Sequence, residues 1–526
     1  MTVDLPARAA ELRQRAAALA ASLHAVARLE TTQACERAVL RLFGVAGLDR
    51  VGRPLAAEVV DRFAAFGLTP PGGDIALPFA VAAAEYGLSP SELALDVAAG
   101  NIDLALEAEL LGDPGRRGQA EALIASWVAG AWQRFDANRT ARIELLGLFG
   151  ETPMPRFALE MPGLRAADVA ASARSVVAGG LDLICVPVPR DRELRRRLGD
   201  EVERTDASDD PAAAPAGSQR GLNVIRTALD VAAAESGRYV RLATRSVGLA
   251  APEQAIVAGF ERIDAVFTDP LEAVIDFGVD PARAFADHAF AVTLLGRSGA
   301  TLVLAPGPLA VAPEMTRGEP PDPPTRMGRS LALQALSLEL SRCGGLSDDR
   351  ISIAGLSRQL LEGPEGLLQG IVELALRRLT FAEHRLVLEE PLPGDAGPAW
   401  PIALTAWLGG GIAPALVMGR ATPTSAASAV REMRSAAEAA AALASAYRID
   451  AARGAAALLA GQALDVAVAT IEELTDHGWE RLLLASQAFG RLPASTRVDR
   501  GVAGGEVMPR AYLGLFPAPG NATLRP

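Results

Sequence analysis

Apolar positions recur at helical spacing through almost all of residues 1–150. The run from Leu5 to Leu29 shows it, Glu36 to Phe43 continues it, and Gly44 and Gly47 punctuate its end. Further helices are predicted around Leu55–Phe66, Ile75–Tyr86, Pro90–Ala99 and Gln119–Leu148, with Pro70-Pro71-Gly72-Gly73 as a loop signal between them.

After Gly150 the pattern changes to short, continuously apolar runs. They fall at Phe157–Glu160, Leu181–Val188, Tyr239–Ser246, Ile263–Thr268, Thr301–Ala305, Ile351–Ala354, Arg385–Leu388 and Ile402–Leu408. Helical stretches lie between most of them, at Arg165–Gly179, Leu222–Ser236, Pro252–Phe260, Pro281–Leu295, Met327–Arg342 and Gly366–Leu379. Strands without polar alternation are those covered on both faces, as in parallel sheets. Eight such repeats in about 250 residues predict a TIM (β/α)8 barrel; an open doubly wound sheet is the competing arrangement. The expected organisation is an N-terminal helical region (1–150), a barrel (151–420) and a C-terminal helical extension and tail (421–526). Residues 199–218 and the proline-bearing stretch 310–326 read as long loops, and either can act as a lid or as decoration.

Composition narrows the chemistry. All 51 basic side chains among the 526 residues are arginines, so no lysine is present to form a Schiff base. The net charge of -12 gives a nucleic-acid surface no support. Cys35, Cys185 and Cys343 are widely separated, which fits a reduced, cytoplasmic protein without a cysteine metal site. Charges interrupt the alanine-rich runs, so no membrane span is expected.

The four histidines, His24, His288, His384 and His477, form no HExxH motif or close pair, and no metal site is expected. In a barrel, ligands meet the C-terminal ends of the strands. Candidates there are Arg190 after the second strand, Thr244, Arg245 and Ser246 at the third, and Asp269 and Glu272 after the fourth. Arg245 and Ser246 can both donate to an anion; equally, Arg245 can pair with Asp269 on the neighbouring strand. Asp287-His288, inside the helix after the fourth strand, can shape a pocket or serve the packing of the core. Asp182 and Asp264 precede their strands and belong to the opposite, stability-bearing end. Arg134, Asp136, Asn138 and Arg139 near Trp127 and Trp132 read as a contact between domains. No assembled catalytic set emerges from the residues alone.

Several segments carry a family resemblance. They are TTQACERAVLRLFG at 31–44, PLAAEVVDRF at 54–63, RFDANRTARI at 134–143 and GRYVRLATRSVGLAAPEQAIVAGFERIDAVFTDPL at 237–271, followed by DHAF at 287–290. Together they resemble the large, alpha subunit of D-lysine 5,6-aminomutase. The resemblance implies a barrel that works with pyridoxal phosphate and adenosylcobalamin on a small amino acid, moving an amino group to the neighbouring carbon by radical chemistry. It also implies a smaller beta-type subunit that brings the cobalamin-binding Rossmann domain and the lysine of the aldimine.

The chain departs from the family's pocket. The family's arginine and serine after the second strand fall at about Val188 and Glu193, with Arg190 nearby but out of register. Its phosphate-side serine falls on Val247, next to Ser246, and its stacking tyrosine on Glu272. A pocket arginine falls on Phe277, and the aspartate that holds the substrate amine falls near Gly307. Taken together, the candidates are Arg190, Arg245, Ser246 and Glu272 for the cofactor and Asp269, Asp287 and His288 for the substrate. Three readings follow: a divergent aminomutase-like subunit, a non-catalytic paralogue that keeps fold and partner interface, and an unrelated barrel enzyme acting on a small anionic substrate.

Overall fold

The computed structural model describes residues 4–49, 53–65, 74–152, 156–161, 165–187, 216–245, 251–277, 281–304, 322–355, 366–389, 416–446, 454–485 and 508–509. Eight parallel strands close into a barrel in chain order. They are β1 (Arg156–Glu160), β2 (Leu183–Pro187), β3 (Arg241–Arg245), β4 (Ala265–Phe267), β5 (Thr301–Leu304), β6 (Ile351–Gly355), β7 (Arg385–Glu389) and β8 (Leu416–Arg420). Closure is direct: β1 pairs with β8 in parallel from Arg156↔Leu416 to Glu160↔Arg420. The open doubly wound sheet is therefore excluded.

One strand differs from the reading of the sequence. The eighth is Leu416–Arg420, whereas residues 402–408 lie outside the described residues. Both runs are short and apolar, and hydropathy alone does not choose between them; registry with β1 does. A second difference concerns the loop at 310–326, because Pro323 and Pro324 open the helix Pro323–Cys343. Asp322 caps it, its Oδ1 accepting from Thr325 N at 3.0 Å. Proline at a helix start loses nothing, since its missing N–H would have no intrahelical acceptor there.

The side-chain alternation of the strands separates two cores. Ala158, Cys185, Ala243, Ala265, Phe267 and Ala354 belong to a cluster that fills the barrel interior. The opposite strand faces join the helices in a larger cluster. Among the barrel helices are Ala166–Ala178, Gln219–Ser236, Ala251–Phe260, Pro281–Ser298, Pro323–Cys343, Gly366–Thr380 and Ala426–Ala446.

The flanking helices are built into this layer. Leu5–Ala27 packs on Pro323–Cys343 and on the C-terminal helix Ala455–Ala485. The last two cross so closely that a Cβ on Gly328 would sit 2.3 Å from the Ala463 carbonyl. The segment Ala455–Gly478 is long and apolar enough to cross a membrane by length and composition; here its Ala463, Leu464, Ala467 and Ile471 are buried in the protein. Two-residue strands at Glu30–Thr31 and Met508–Pro509 pair antiparallel, joining segments from opposite ends of the sequence.

The long helix Pro114–Phe149 lies across one end of the barrel. Arg134, Asn138 and Arg142 are spaced by four and share one face. Arg134 reaches Glu261 at 2.7 Å, Asn138 Nδ2 donates to the Gly259 and Phe260 carbonyls at 2.8 Å, and Arg142 reaches Asp264 at 2.8 Å. Asp136 pairs with Arg297 at 2.6 Å, and that guanidinium stands 5.1 Å from the Trp132 ring. The contact expected of this polar face is present.

Candidate functional site

The two ends of the barrel hold different chemistry. At the N-terminal end, Asp264 just before β4 is shared among many donors. Its Oδ1 accepts from Arg142 Nε at 2.8 Å and from the Tyr239 hydroxyl at 2.9 Å. Its Oδ2 accepts from Leu242 N at 2.8 Å and from Arg226 Nη1 at 3.3 Å. Burial and the Asp264 charge push the Tyr239 phenol up to about 12, so it stays a donor. Asp182, before β2, likewise accepts from Phe157 N at 2.7 Å and pairs with Arg238. These carboxylates hold strands and helices in place, as their position before the strands predicted.

At the C-terminal mouth, three strands end in charged residues on the interior side. Glu160, Arg245 and Arg420 stand two positions beyond the interior residues Ala158, Ala243 and Met418, so the period of two turns all three inward. Glu160 Oε2 lies 2.9 Å from Arg245 Nε, and its Oε1 lies 3.0 Å from Arg420 Nη2. The Arg245 guanidinium carbon sits 4.8 Å from the centre of the Phe267 ring. The result is an Arg–Glu–Arg layer over an apolar interior.

This overturns the pairing of Arg245 with Asp269. Arg245 faces inward to Glu160, while Asp269 is occupied at the start of the helix Pro270–Phe277. Asp269 Oδ1 accepts from Leu271 N at 2.8 Å and from the Ser337 hydroxyl at 2.7 Å. An aspartate placed just before a helix is drawn to the orphan N–H groups of the first turn. Glu272, one turn on, is buried.

Asp287 and His288 sit elsewhere, on Pro281–Ser298. Asp287 accepts from the Thr32 hydroxyl and lies 3.5 Å from Arg283 Nε, with the Cys35 thiol at 3.6 Å. Burial pushes the Asp287 carboxyl above its ordinary range. Thr32 caps the helix Gln33–Leu42, so Asp287 fastens the N-terminal region to the barrel. Beside it, Arg37 pairs with the fully buried Glu253 at 2.9 Å. His288 Nε2 lies 2.9 Å from Ser341 Oγ, whose own proton goes to the Ser337 carbonyl at 2.8 Å. The imidazole is therefore the Nε2–H donor, and burial lowers its pKa to about 3. Among the contacts described for them, neither residue meets the mouth layer. Arg190, Ser246, Val188, Glu193, Val247 and Gly307 lie outside the described residues.

Glu160 and Arg420 escaped the reading of the sequence. The signal was there in parallel: RFALE, RLATR and LVMGR are three apolar strands that each end in a charge. Among the described residues, no group of three or more His, Cys, Asp and Glu side chains is placed to hold a metal ion.

Comparison with known proteins places the chain in context. The family model described as the D-lysine 5,6-aminomutase TIM-barrel domain of the alpha subunit matches residues 3–305. The lysine 5,6-aminomutase alpha subunit of Fusobacterium nucleatum is 27% identical over 294 residues, which cover 55% of this chain and 54% of that one. That of Acetoanaerobium sticklandii is 27% identical over 288 residues, 55% of this chain and 53% of its own. The chain thus spans about half the length of the curated relatives it matches. Among solved structures, a rubisco-like protein of Alicyclobacillus acidocaldarius aligns at 17% identity with a TM-score of 0.33, covering 61% of this chain and 69% of that one.

Proposed function

This chain belongs to the D-lysine 5,6-aminomutase alpha-subunit TIM-barrel family, and on that premise we propose that it is the divergent barrel component of an amino acid aminomutase, an isomerase that shifts an amino group to the adjacent carbon. Family membership removes the ground for an unrelated barrel enzyme. The observation that carries the proposal is the family match over the front of a closed barrel whose chain contains no lysine. A reaction that needs a lysine amine then requires a second subunit, and the proposed partner is a smaller one that brings this lysine and adenosylcobalamin.

The barrel's part is to bind and orient the substrate and to keep water from it. Apolar interior side chains form the floor below the mouth, and Arg245 and Arg420 end their strands above it.

Pyridoxal phosphate, the family's second cofactor, does not fit the described mouth. It brings a dianionic phosphate and a ring that is held by stacking. Arg245 and Arg420 are both engaged with Glu160, Asp269 is engaged as a helix cap, and the buried Glu272 adds a carboxyl where the family resemblance calls for an aromatic ring. No step is therefore derived through that cofactor. The same observation favours a second reading, a non-catalytic paralogue that keeps the fold and the partner interface.

Capture of a tagged full-length chain from its native cells tests both readings. The proposed function expects a stoichiometric smaller subunit that carries corrin absorption, together with isomerisation of an amino acid by the complex. A partner that binds without corrin or turnover supports the non-catalytic paralogue. A solitary, colourless chain from cofactor-replete cells overturns both.

A further inference from the structure

On the side away from the mouth, the barrel interior ends in a layer drawn from the odd-numbered strands. Arg156 opens β1, Arg241 opens β3, Thr301 opens β5 and Arg385 opens β7. Each stands two positions before an interior residue, Ala158, Ala243, Val303 or Val387, so the period of two turns all four inward. Four side chains from alternate strands make one layer of such a barrel, and bulky branched apolar residues dominate these layers. Here three of the four are arginines and the fourth carries a hydroxyl.

Their partners are few. Glu151 Oε2 lies 2.7 Å from Arg156 Nη2, and its Oε1 lies 3.4 Å from Arg241 Nη2. Arg156 also donates through Nε to the Thr152 carbonyl at 3.3 Å. Among the described residues Arg241 has no other side-chain hydrogen bond, and the Arg385 and Thr301 side chains have none. The Arg156 and Arg241 side chains are 9% and 14% exposed, so two like charges share one carboxylate where water is scarce. Burial, and after it the neighbouring Arg156 charge, lowers the Arg241 guanidinium from its ordinary value. Against burial, which acts to raise it, the charges of Arg156, Arg241 and Arg385 hold the Glu151 carboxyl below its ordinary range. Asp182, Asp264, Asp348, Asp349 and Glu383 also lead into strands, but each pairs with an arginine outside this layer. The strand-leading segments outside the described residues, 153–155 and 409–415, read PMP and GGGIAPA and bring no charged side chain.

We propose that this layer is a binding site for a small doubly charged oxyanion of the phosphate or sulfate class, held by Arg156, Arg241 and Arg385 with Thr301 as a further donor. Guanidinium edges donate pairs of parallel N–H bonds, and forks that converge from different strands suit a tetrahedral anion with acceptors on every side. A dianion also offsets the repulsion between Arg156 and Arg241 that one shared carboxylate leaves. Glu151, 56% exposed, stands beside the same forks and competes with the anion for them. The apolar interior above the layer separates this site from the mouth.

The inference goes beyond the proposed reaction and requires neither partner nor cobalamin. Calorimetric titration of the purified full-length chain with sulfate, inorganic phosphate and formate, at fixed pH and ionic strength, tests it. Sulfate and phosphate should each bind at least about tenfold more tightly than formate. Arg385→Gln should weaken sulfate binding about tenfold, and Glu151→Gln should strengthen it about tenfold. Both side chains are exposed, and circular dichroism establishes that the variants are folded. Arg117→Gln removes the same charge about 37 Å along the helix Pro114–Phe149 from Arg142 and should leave the affinity as in wild type. Absence of sulfate binding by wild type, formate binding as tight as sulfate, or a folded Arg385→Gln chain that titrates like wild type overturns the site. A loss in Arg117→Gln equal to that in Arg385→Gln overturns it as well, because overall charge then accounts for the binding.

Discussion

The two ends of the barrel spend their arginines differently. At the N-terminal end, Arg142 donates to Asp264, to the Ser298 carbonyl at 2.8 Å and to the Ile263 carbonyl at 2.7 Å. Arg226 likewise serves Asp264, Asp230 and the Val240 carbonyl. Buried charge is tolerated there because acceptors surround it. At the mouth, Arg245 and Arg420 both meet Glu160, whose oxygens lie 2.9 and 3.0 Å from them. One end is a network buried between strands and helices; the other lies where the strands end and the barrel opens.

Removing Asp264 attacks the buried network. Asp264→Ala leaves Arg142 and Arg226 buried without their shared counter-ion and should cost about 3–5 kcal/mol of stability, measured by urea denaturation of the full-length chain. A smaller loss is expected at the seat of the long helix. A Cβ on Gly259 would lie 2.1 Å from the Phe135 ring, so Gly259→Ala should cost about 1–3 kcal/mol by overpacking, read as a lowered urea midpoint.

His288 separates packing from titration. Its pKa is about 3 in the fold against an ordinary 6.5, because burial disfavours the charged ring. Between those values the unfolded chain binds the extra proton, so this residue's contribution to stability is intact above pH 6.5 and is lost as pH falls toward 3. Asp287 has the opposite sign, since its raised pKa makes it favour the fold less as pH rises through its titration. His288→Gln should therefore flatten the fall of Tm between pH 6.5 and 4 relative to wild type, which a thermal melt at each pH will show. An unchanged slope would mean that the ring is accessible to protons in the fold. The smallest stability effect belongs to the mouth. Arg420→Ala removes a partly exposed pair and should shift the urea midpoint by less than about 1 kcal/mol. A large loss there would erase the distinction between the two ends.

Much of this was legible because the relevant residues are close in sequence. Asp182 and Asp264 stand directly before strands, and the face of Arg134, Asn138 and Arg142 follows from a spacing of four. Seven strands stood out as continuous apolar runs between helices. The mouth layer did not, because Glu160 and Arg420 are brought together only by closure of the first strand on the last. The pairing of Arg245 failed for a related reason. Proximity along the chain suggested Asp269, but the strand's alternation turned Arg245 inward while the orphan amides of the next helix claimed the aspartate. Family resemblance supplied the fold; for the mouth it predicted residues that this chain has replaced.

The docking of Leu5–Ala27 on Pro323–Cys343 and Ala455–Ala485 has a consequence for synthesis. Leu5–Ala27 is synthesised long before Ala455–Ala485, which completes its seat. At about 5–20 residues per second, its apolar stripe of Ala9, Leu12, Ala16 and Ala20 waits on the order of tens of seconds for that cover. Nascent chains should accordingly be held by chaperones until Ala455–Ala485 emerges.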